Sequence, residues 1–213
     1  MTSKPERLAE LVAPAHTAIV TQELQGAVVG PRAGLAALAA EARRQALPNI
    51  ERLLPAARIA DVQVVHCLVH RRADGLGSNH NAKLFALGRN DVDIAPGSAG
   101  ATLLAEFGPQ PTDLVLYRMH GLGPMGGTDL DAILRNLGVR TIIAVGVSLN
   151  VAIPNLVMDA VNAGYRVVLP RDAVAGIPTD FATAMIDNTL ALLSTVTTTD
   201  DLIAAWAAPD RIG

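Results

Sequence analysis

The sequence contains a single cysteine, Cys67, among its 213 residues. A lone cysteine excludes an intramolecular disulfide and any metal site built from several thiolates. Because intracellular compartments keep thiols reduced, this composition favours a cytoplasmic protein. The segment around Cys67, residues 62–69, is rich in valine and predicts a buried strand, in which the thiol behaves as a small apolar side chain.

Aromatic residues, charge imbalance and long apolar runs are also scarce. Aromatic residues make up 3% of the chain, and the formal net charge is −3. No block of lysine or arginine is long enough for a nucleic-acid surface, and no apolar run is long enough to cross a bilayer. We therefore expect neither nucleic acid nor a membrane as a partner. The N-terminal residues include acids and lack an apolar run, unlike a signal or transit peptide.

Small and branched apolar residues dominate instead, because half of the chain is hydrophobic. Short β-branched runs alternate with Ala/Leu-rich stretches of helical period. The pattern predicts strands at residues 17–21, 62–69, 114–117, 141–145, 165–169 and 195–198. It predicts helices at about residues 34–54, which Pro55 closes, and at 130–137, 151–162, 179–193 and from 200 onwards. This order predicts one α/β domain over residues 1–213, a doubly wound, Rossmann-like fold with a six-stranded, mainly parallel sheet between two helical layers.

One segment, residues 71–100, interrupts the alternation. It is rich in glycine, asparagine and charge and is longer than an ordinary connection. Long irregular loops in compact domains are often functional, so this loop either covers a site or is a surface excursion with one helical turn near residues 83–87.

Polar side chains follow the ends of the predicted strands. Glu23 and Gln25 come after the first strand, Arg118 and His120 after the third, and Asn150 after the fourth. Ligands of open parallel sheets bind beyond the carboxyl ends of the strands, where helix N-termini also point. A carboxylate and a guanidinium therefore converge on one edge, which predicts an anion-binding or acid–base site.

These residues belong to motifs that resemble the isochorismatase-like (cysteine hydrolase) superfamily. That family has Asp-Met-Gln after its first strand, a lysine at the end of the third, Gly-Thr-Asp-Leu about ten residues later, and a Gly-Val pair before a helix that opens with cysteine. The matching segments here are Glu23-Leu24-Gln25, Arg118, Gly127-Thr128-Asp129-Leu130, Gly146-Val147-Ser148-Leu149-Asn150-Val151-Ala152, Asp159-Ala160, Gly164-Tyr165-Arg166-Val167 and Arg171-Asp172-Ala173-Val174.

The resemblance implies three catalytic positions, Glu23, Arg118 and Ala152. It places alanine where the family has its nucleophilic cysteine, so attack by a side chain at that position is impossible. It also implies a cis peptide bond between Val147 and Ser148, with the backbone of Val147, Ser148 and Ala152 forming the oxyanion site. The family further implies a homo-oligomer, a dimer or tetramer, that needs no cofactor.

Three functions remain open at this stage. The first is a hydrolase of the isochorismatase type, in which Glu23 protonates a vinyl ether of a small anionic substrate and Arg118 holds its carboxylate. The second is a catalytically silent relative that binds a small anion or a protein partner. The third is a different reaction that uses Ser148, His120 or His70, although no base for Ser148 is evident.

The predicted ligand-binding residues are those that follow the strands or lie in the long loop. They are Gln25, His120, Asn81, Lys83 and Asn150. His66 and His70, four apart on one strand, would be the natural start of a metal site, but no Asp-x-His motif accompanies them. We therefore predict no metal, a hydrogen-bonded His66 in the core, and His70 at the surface or lining the site.

Overall fold

The computed structural model describes residues 3–86 and 93–207. Its sheet contains the six predicted strands and one short addition. The strands are β1 (Thr17–Gln22), β2 (Gln63–Val69), β3 (Leu114–Arg118), β4 (Thr141–Val147), β5 (Arg166–Pro170), β6 (Val174–Ala175) and β7 (Thr195–Thr197). All pairings are parallel, in the order β3-β2-β1-β4-β5-β7, and β6 pairs with β4. The predicted doubly wound α/β fold is confirmed, and the two-residue β6 is what the sequence pattern missed.

The helices alternate with these strands. They are α1 (Lys4–Leu11), α2 (Gly26–Val29), α3 (Ala36–Glu41), α4 (Leu47–Ile59), α5 (Lys83–Ala86), α6 (Leu130–Asn136), α7 (Ala152–Asn162), α8 (Thr179–Asn188) and α9 (Thr199–Ala207). Of the long loop at residues 71–100, residues 87–92 lie outside the described residues, so part of the predicted turn near 83–87 does too. Within the described ranges, no helix is both long and apolar enough to span a membrane.

Two apolar layers enclose the sheet. Helices α4 and α9 cover one face through residues such as Ile50, Leu53 and Leu202. Helices α6, α7 and α8 cover the other face through residues such as Leu134 and Ile153. The strands are buried on both sides, as the continuous burial of β1 and β4 shows, and this explains their unbroken apolar runs.

The prediction that Pro55 closes the helix at about residues 34–54 is wrong. Helix α3 continues through one π-helical turn, Ala42–Ala46, into α4, which passes through Pro55 and ends at Ile59. A proline inside a helix costs about 3 kcal/mol. Leu53 and Leu54 are almost fully buried beside it, and burial of each such side chain contributes about 1.5–3 kcal/mol. Packing against the sheet therefore outweighs the local cost. Likewise, α8 ends at Asn188, short of the predicted residue 193, and a 3₁₀ turn follows at Leu190–Leu192.

A buried polar network ties the start of β3 to the sheet. His66 lies in the core, as predicted, with Nδ1 2.9 Å from the Thr21 hydroxyl and Nε2 3.3 Å from Asp113 Oδ2. Arg58 of α4 donates to both oxygens of Asp113, at 3.1 and 2.7 Å, and the Gln110 backbone N–H donates to Oδ2. The network lies on the α4 face of the sheet and fixes where β3 begins, and hence where Arg118 ends it.

Candidate active site

The candidate site is built around Glu23, which follows β1 directly. Its backbone has a φ of +56°, and its N–H donates to the carbonyl of Cys67 at 2.9 Å. A positive φ is uncommon for a residue with a side chain and turns Glu23 away from the strand direction. Its side chain is 15% exposed. The turn therefore places one carboxylate at the carboxyl edge of the sheet, between β1 and β2.

Arg118 reaches Glu23 from the end of β3. Its Nη2 donates to Glu23 Oε1, so the carboxylate and guanidinium that were expected to converge on this edge form an ion pair, and it also donates to the Leu122 carbonyl at 3.4 Å. The arginine side chain is only 4% exposed. Within residues 3–86 and 93–207, its buried Nε and Nη1 atoms have no hydrogen-bond partner. Burying such donors without acceptors is costly, so the guanidinium is available to an anion that enters the site.

Gln22 and Cys67 lie in neighbouring strands directly beside this pair. They are register partners in β1 and β2, and both are almost fully buried. Gln22 Nε2 lies 3.4 Å from Glu23 Oε1, while Gln22 Oε1 has no partner among the described residues. Burial raises the pKa of the Cys67 thiol to about 12. Arg118 lowers this pKa and Glu23 raises it, and both effects are smaller than that of burial. Cys67 is thus a neutral, buried side chain, as its sequence context predicted.

The end of β4 and the start of α7 form the opposite side of this edge. The Val147–Ser148 peptide bond is cis, as the resemblance implied. The Ser148 carbonyl accepts from the backbone N–H groups of Val151 and Ile153, and α7 begins at the buried Ala152. No acceptor among the described residues takes the Ala152 backbone N–H. This free N–H at a helix N-terminus suits a developing negative charge.

Two of the predicted ligand-binding residues have their amide groups bound to backbone. Gln25 is fully buried, and its side chain donates to the carbonyls of Val69 and Gly100 and accepts from Val69 N–H at 2.8 Å. Asn150 exchanges two hydrogen bonds with the backbone of Ile177. Both side chains therefore brace the loops around the site. The sequence indicated their place at this edge but not the backbone groups that they bind.

Two of the remaining candidates, His70 and His120, line a separate pocket. This cavity of about 140 Å³ lies beyond the ends of β2 and β3, and Phe85 is also in its wall. His120 is exposed and lies 3.2 Å from the Gly127 carbonyl. Asn81 and Lys83 are also exposed and do not line the pocket. Glu23, Arg118 and Ala152 do not line it either, so the structure does not bring all the predicted residues to one pocket.

Two further polar residues hold this edge together. Asn79 Oδ1 accepts from the Gly121 backbone N–H at 2.7 Å and so joins the long loop to the segment after β3. Gln22 contacts Glu23 from the last position of β1. A glutamine at the end of the otherwise apolar strand TAIVTQ was the signal that could have revealed it.

The histidines do not assemble a metal site in the described part of the chain. No three His, Cys, Asp or Glu side chains there are grouped to hold a metal ion. Both ring nitrogens of His66 have partners in the network with Thr21 and Asp113. His70 packs on Tyr117 with ring centroids 4.0 Å apart, and burial lowers its pKa.

Comparison with known proteins agrees with the fold and the motifs. The sequence profile described as "Isochorismatase domain" matches residues 17–201, so the chain belongs to the isochorismatase family. Ureidoacrylate amidohydrolase RutB of Rhizobium rhizogenes is 26% identical over 98% of this chain and 91% of its own length. The same enzyme of Enterobacter sp. is 27% identical over 98% of this chain and 97% of its own.

Solved structures match over most of the chain as well. A cysteine hydrolase from Pseudomonas syringae pv. phaseolicola superimposes with a TM-score of 0.81 at 25% identity, covering 92% of this chain and 94% of that one. N-carbamoylsarcosine amidase from Thermoplasma acidophilum has a TM-score of 0.70 at 19% identity, covering 87% and 97%, and shares the fold. The protein is therefore an isochorismatase-family hydrolase by sequence and by fold.

Proposed function

We propose that this protein hydrolyses a small anionic substrate by acid chemistry at Glu23, without a thiol nucleophile. The observation that carries the proposal is the Glu23–Arg118 pair at the carboxyl edge of the sheet. Glu23 is partly exposed, and its Oε2 accepts no hydrogen bond within the described ranges, while Arg118 keeps two buried donors without acceptors. A substrate carboxylate that binds Arg118 would release Glu23 for proton transfer.

The absence of a usable thiol supports this chemistry over acyl transfer. We propose that Ala152, the first residue of α7, occupies the position of the family nucleophile. The single cysteine, Cys67, is buried in β2 and remains a neutral thiol because of its raised pKa. A thiol, unlike a thiolate, is a poor nucleophile. Amide cleavage through a thioester therefore has no attacking group, whereas protonation of an enol ether needs none.

The proposed reaction begins with the substrate carboxylate on Arg118. Glu23 gives its proton to the terminal carbon of the vinyl ether, and the ether carbon becomes an oxocarbenium ion. Water adds to this carbon and loses a proton, which returns Glu23 to its acid form. The hydroxyl of the resulting hemiketal loses its proton as the bond from the same carbon to the former ether oxygen breaks, and that oxygen takes up the proton, which gives a ketone and an alcohol. Backbone N–H groups at the start of α7 would stabilise oxygen atoms that gain negative charge.

The curated relatives act, by name, on ureidoacrylate. That name describes an acrylate, which carries a carboxylate next to a carbon–carbon double bond. A substrate of this general kind suits both Arg118 and acid catalysis. We propose a small unsaturated carboxylate as the substrate class, with no cofactor and no metal.

Turnover tests the proposal directly. We expect the purified protein to hydrolyse isochorismate or another enol-ether carboxylate, and Glu23→Gln to lose at least about a hundredfold in kcat, a typical contribution of a general acid. Glu51→Gln, an exposed glutamate on α4, should retain full activity. Product formation would be followed for a panel that also contains ureidoacrylate and small amides. Equal rates for wild type and Glu23→Gln would refute Glu23 as the acid.

Restoring the thiol tests the proposed role of position 152. We expect Ala152→Cys to gain measurable cleavage of small amides, because the start of α7 and Glu23 remain in place. Ala152→Ser serves as the control, since a hydroxyl is much less nucleophilic than a thiolate. Mass spectrometry would detect an acyl adduct on the new cysteine. If Ala152→Cys folds but neither reacts with iodoacetamide faster than Cys67 nor cleaves amides, position 152 is not a nucleophile site.

A catalytically silent binder is the alternative, and one observation favours it. Arg118 and Glu23 neutralise each other and are both largely shielded from solvent. A protein that only binds its ligand could retain such an ion pair without transferring a proton from it. A silent binder would retain carboxylate ligands in calorimetry while it turned over none of the panel.

The partners of the protein are proposed on the same grounds. We propose a small-molecule ligand and a homo-oligomer, a dimer or tetramer, and neither nucleic acid nor a membrane. Tyr117, on the edge strand β3, is 52% exposed, and Met119 just beyond it is 50% exposed. Such apolar exposure next to an unpaired strand edge is typical of contact surfaces. Light scattering of the purified chain measures the oligomeric state.

A further inference from the structure

Gln22 places its side-chain carboxamide beside the Glu23–Arg118 ion pair, but only one of the two polar atoms of this carboxamide has a hydrogen-bond partner among the described residues. Its Nε2 lies 3.4 Å from Glu23 Oε1, near the limit for a hydrogen bond. Its Oε1 is buried without a donor in the described part of the chain. Most buried polar atoms have a partner, so an orphan acceptor beside a carboxylate calls for an explanation. Because this oxygen is buried, any donor for it has to be a group next to it in the site, and the Glu23 carboxyl is such a group.

The orphan atoms of Arg118 complete the pattern. In the ion-paired state, Arg118 lacks acceptors at Nε and Nη1, and Gln22 lacks a donor at Oε1. A carboxylate bound by Arg118 supplies the acceptors. A proton on Glu23 supplies the donor, once the Gln22 carboxamide turns over and Oε1 faces the Glu23 O–H. The turn exchanges the long 3.4 Å contact of Nε2 for a hydrogen bond accepted by Oε1. Anion binding and protonation of Glu23 thus supply acceptors to Arg118 and a donor to Gln22 Oε1, while Gln22 Nε2 gives up its contact with Glu23.

We infer that Gln22 is a positioning residue that holds Glu23 in place in both of its protonation states and so couples anion binding to proton uptake. The inference rests on the proposed function, because it concerns how Glu23 obtains its proton. In the free site, Gln22 donates to the ionised carboxylate. After an anion takes Arg118, Gln22 accepts from the protonated carboxyl. An apolar side chain at position 22 could hydrogen-bond neither the ionised nor the protonated form of Glu23. Arginine, which only donates, can bind the ionised carboxylate but cannot accept from the protonated carboxyl.

The surroundings leave few other groups to take part. Among the described residues, the charged group in contact with Glu23 is the Arg118 guanidinium. Cys67 is the other ionisable neighbour, and burial raises its pKa to about 12, so it remains neutral below that pH. The first turn of α7 contains no acidic residue. The proton taken up on anion binding is therefore assigned to Glu23.

Calorimetry of acetate and benzoate binding tests this coupling without requiring turnover. Titrations in buffers of different ionisation enthalpy give the number of protons taken up per anion bound. We expect wild type to take up about one proton at pH 7 and Glu23→Gln to take up none. Gln22→Met keeps the length and removes the amide. We expect it to take up fewer protons and to bind about tenfold more weakly at pH 7, with affinity recovering as the pH falls.

Gln63→Met is the matched control, because Gln63 is a carboxamide on β2 whose Nε2 bonds the Val64 and Thr112 carbonyls far from Glu23. It should bind and take up protons as wild type does. If Gln22→Met does not fold, Gln22→Leu takes its place. Proton uptake that is unchanged in the Gln22 variant, anion binding by wild type without proton uptake, or no binding of either carboxylate would overturn the inference. Intact coupling without turnover of any substrate would instead reject the hydrolase and leave the role of Gln22 standing.

Discussion

Replacing Gly146 with alanine is expected to destabilise the protein by more than about 3 kcal/mol. Gly146 lies near the end of the central strand β4, with a φ of +109°, and pairs in register with Gln22. A Cβ atom there would lie 2.3 Å from the backbone oxygen of Gln22. Neither partner can give way, because both are buried backbone of adjacent strands. Steric overlap in a packed core and a strained φ add, and such combined effects are among the largest for single substitutions.

Gly138→Ala separates the two contributions. Gly138, just after α6, also has a positive φ, +71°, but a Cβ atom added there would meet nothing within 4 Å. Its replacement should cost only about 1 kcal/mol, the usual penalty for placing a side chain in this conformation. Urea unfolding of both variants gives the comparison. Similar losses for the two would show that the approach of Gly146 to Gln22 is not a rigid constraint. Because Gly146 adjoins Gln22, we also expect the Gly146 variant to lose anion binding.

The second large effect is expected at Asp113, where Asp113→Ala should cost about 3 kcal/mol. The Asp113 side chain is 1% exposed and accepts from Arg58, from the Gln110 backbone and, depending on tautomer, from His66. Its removal leaves Arg58 with the Phe107 carbonyl as its remaining acceptor among the described residues, and it takes away the carboxylate partner of the fully buried His66 Nε2. Breaking a buried pair in this way typically costs about 3–5 kcal/mol, and the 17% exposure of Arg58 places the estimate at the low end.

Asp187→Ala is the matched control for this experiment. Asp187, on α8, pairs with Arg171, with side chains 51% and 45% exposed. Exposed pairs contribute about 0–1 kcal/mol, so this variant should stay near wild type. Guanidinium unfolding at neutral pH measures both. If the two variants lose equally little, the Arg58–Asp113–His66 network does not hold β3 in place.

The stability contributed by Asp113 should also depend on pH. Burial alone would raise the pKa of Asp113, but the Arg58 guanidinium and the Gln110 N–H together keep it below its usual value. A carboxyl whose pKa is lower in the folded state stabilises the protein above its unfolded pKa, about 3.9. That contribution is lost as the pH falls through the folded value. As the pH is lowered from about 5, the free energy of unfolding of Asp113→Ala should therefore fall by less than that of wild type.

Much of the candidate site could be placed from the sequence because its residues follow strands. The carboxyl ends of parallel strands meet at one edge, so the positions of Glu23, Arg118 and Ala152 along the chain fixed their neighbourhood. Opposite charges at the ends of β1 and β3 then indicated the ion pair. These inferences needed only the order of elements and the signs of charges, whereas the cis peptide between Val147 and Ser148 was implied by the resemblance to the family.

The use of each amide group could not be obtained in this way. Gln22, Gln25 and Asn150 all lie at the same edge, and nothing local distinguishes them. Only the tertiary structure brings Val69 and Gly100 to Gln25, and Ile177 to Asn150, so that those side chains bind backbone. It leaves Gln22 with an unmatched oxygen beside Glu23. Whether one of these amide side chains holds a loop in place or lies free beside Glu23 depends on hydrogen-bond partners that are distant in sequence.

By itself, the sequence determined the alternation of strands and helices, the parallel sheet and the charges carried to its edge, because periodicity and residue type are local properties. The course of α4 through Pro55, the close approach of Gly146 to Gln22 and the division of predicted ligand residues between the Glu23 edge and the His70–His120 pocket were decided by tertiary structure. Each of these depends on which buried surfaces meet. Burial energy and hydrogen-bond pairing between distant segments set that outcome, and neither is visible in a local pattern.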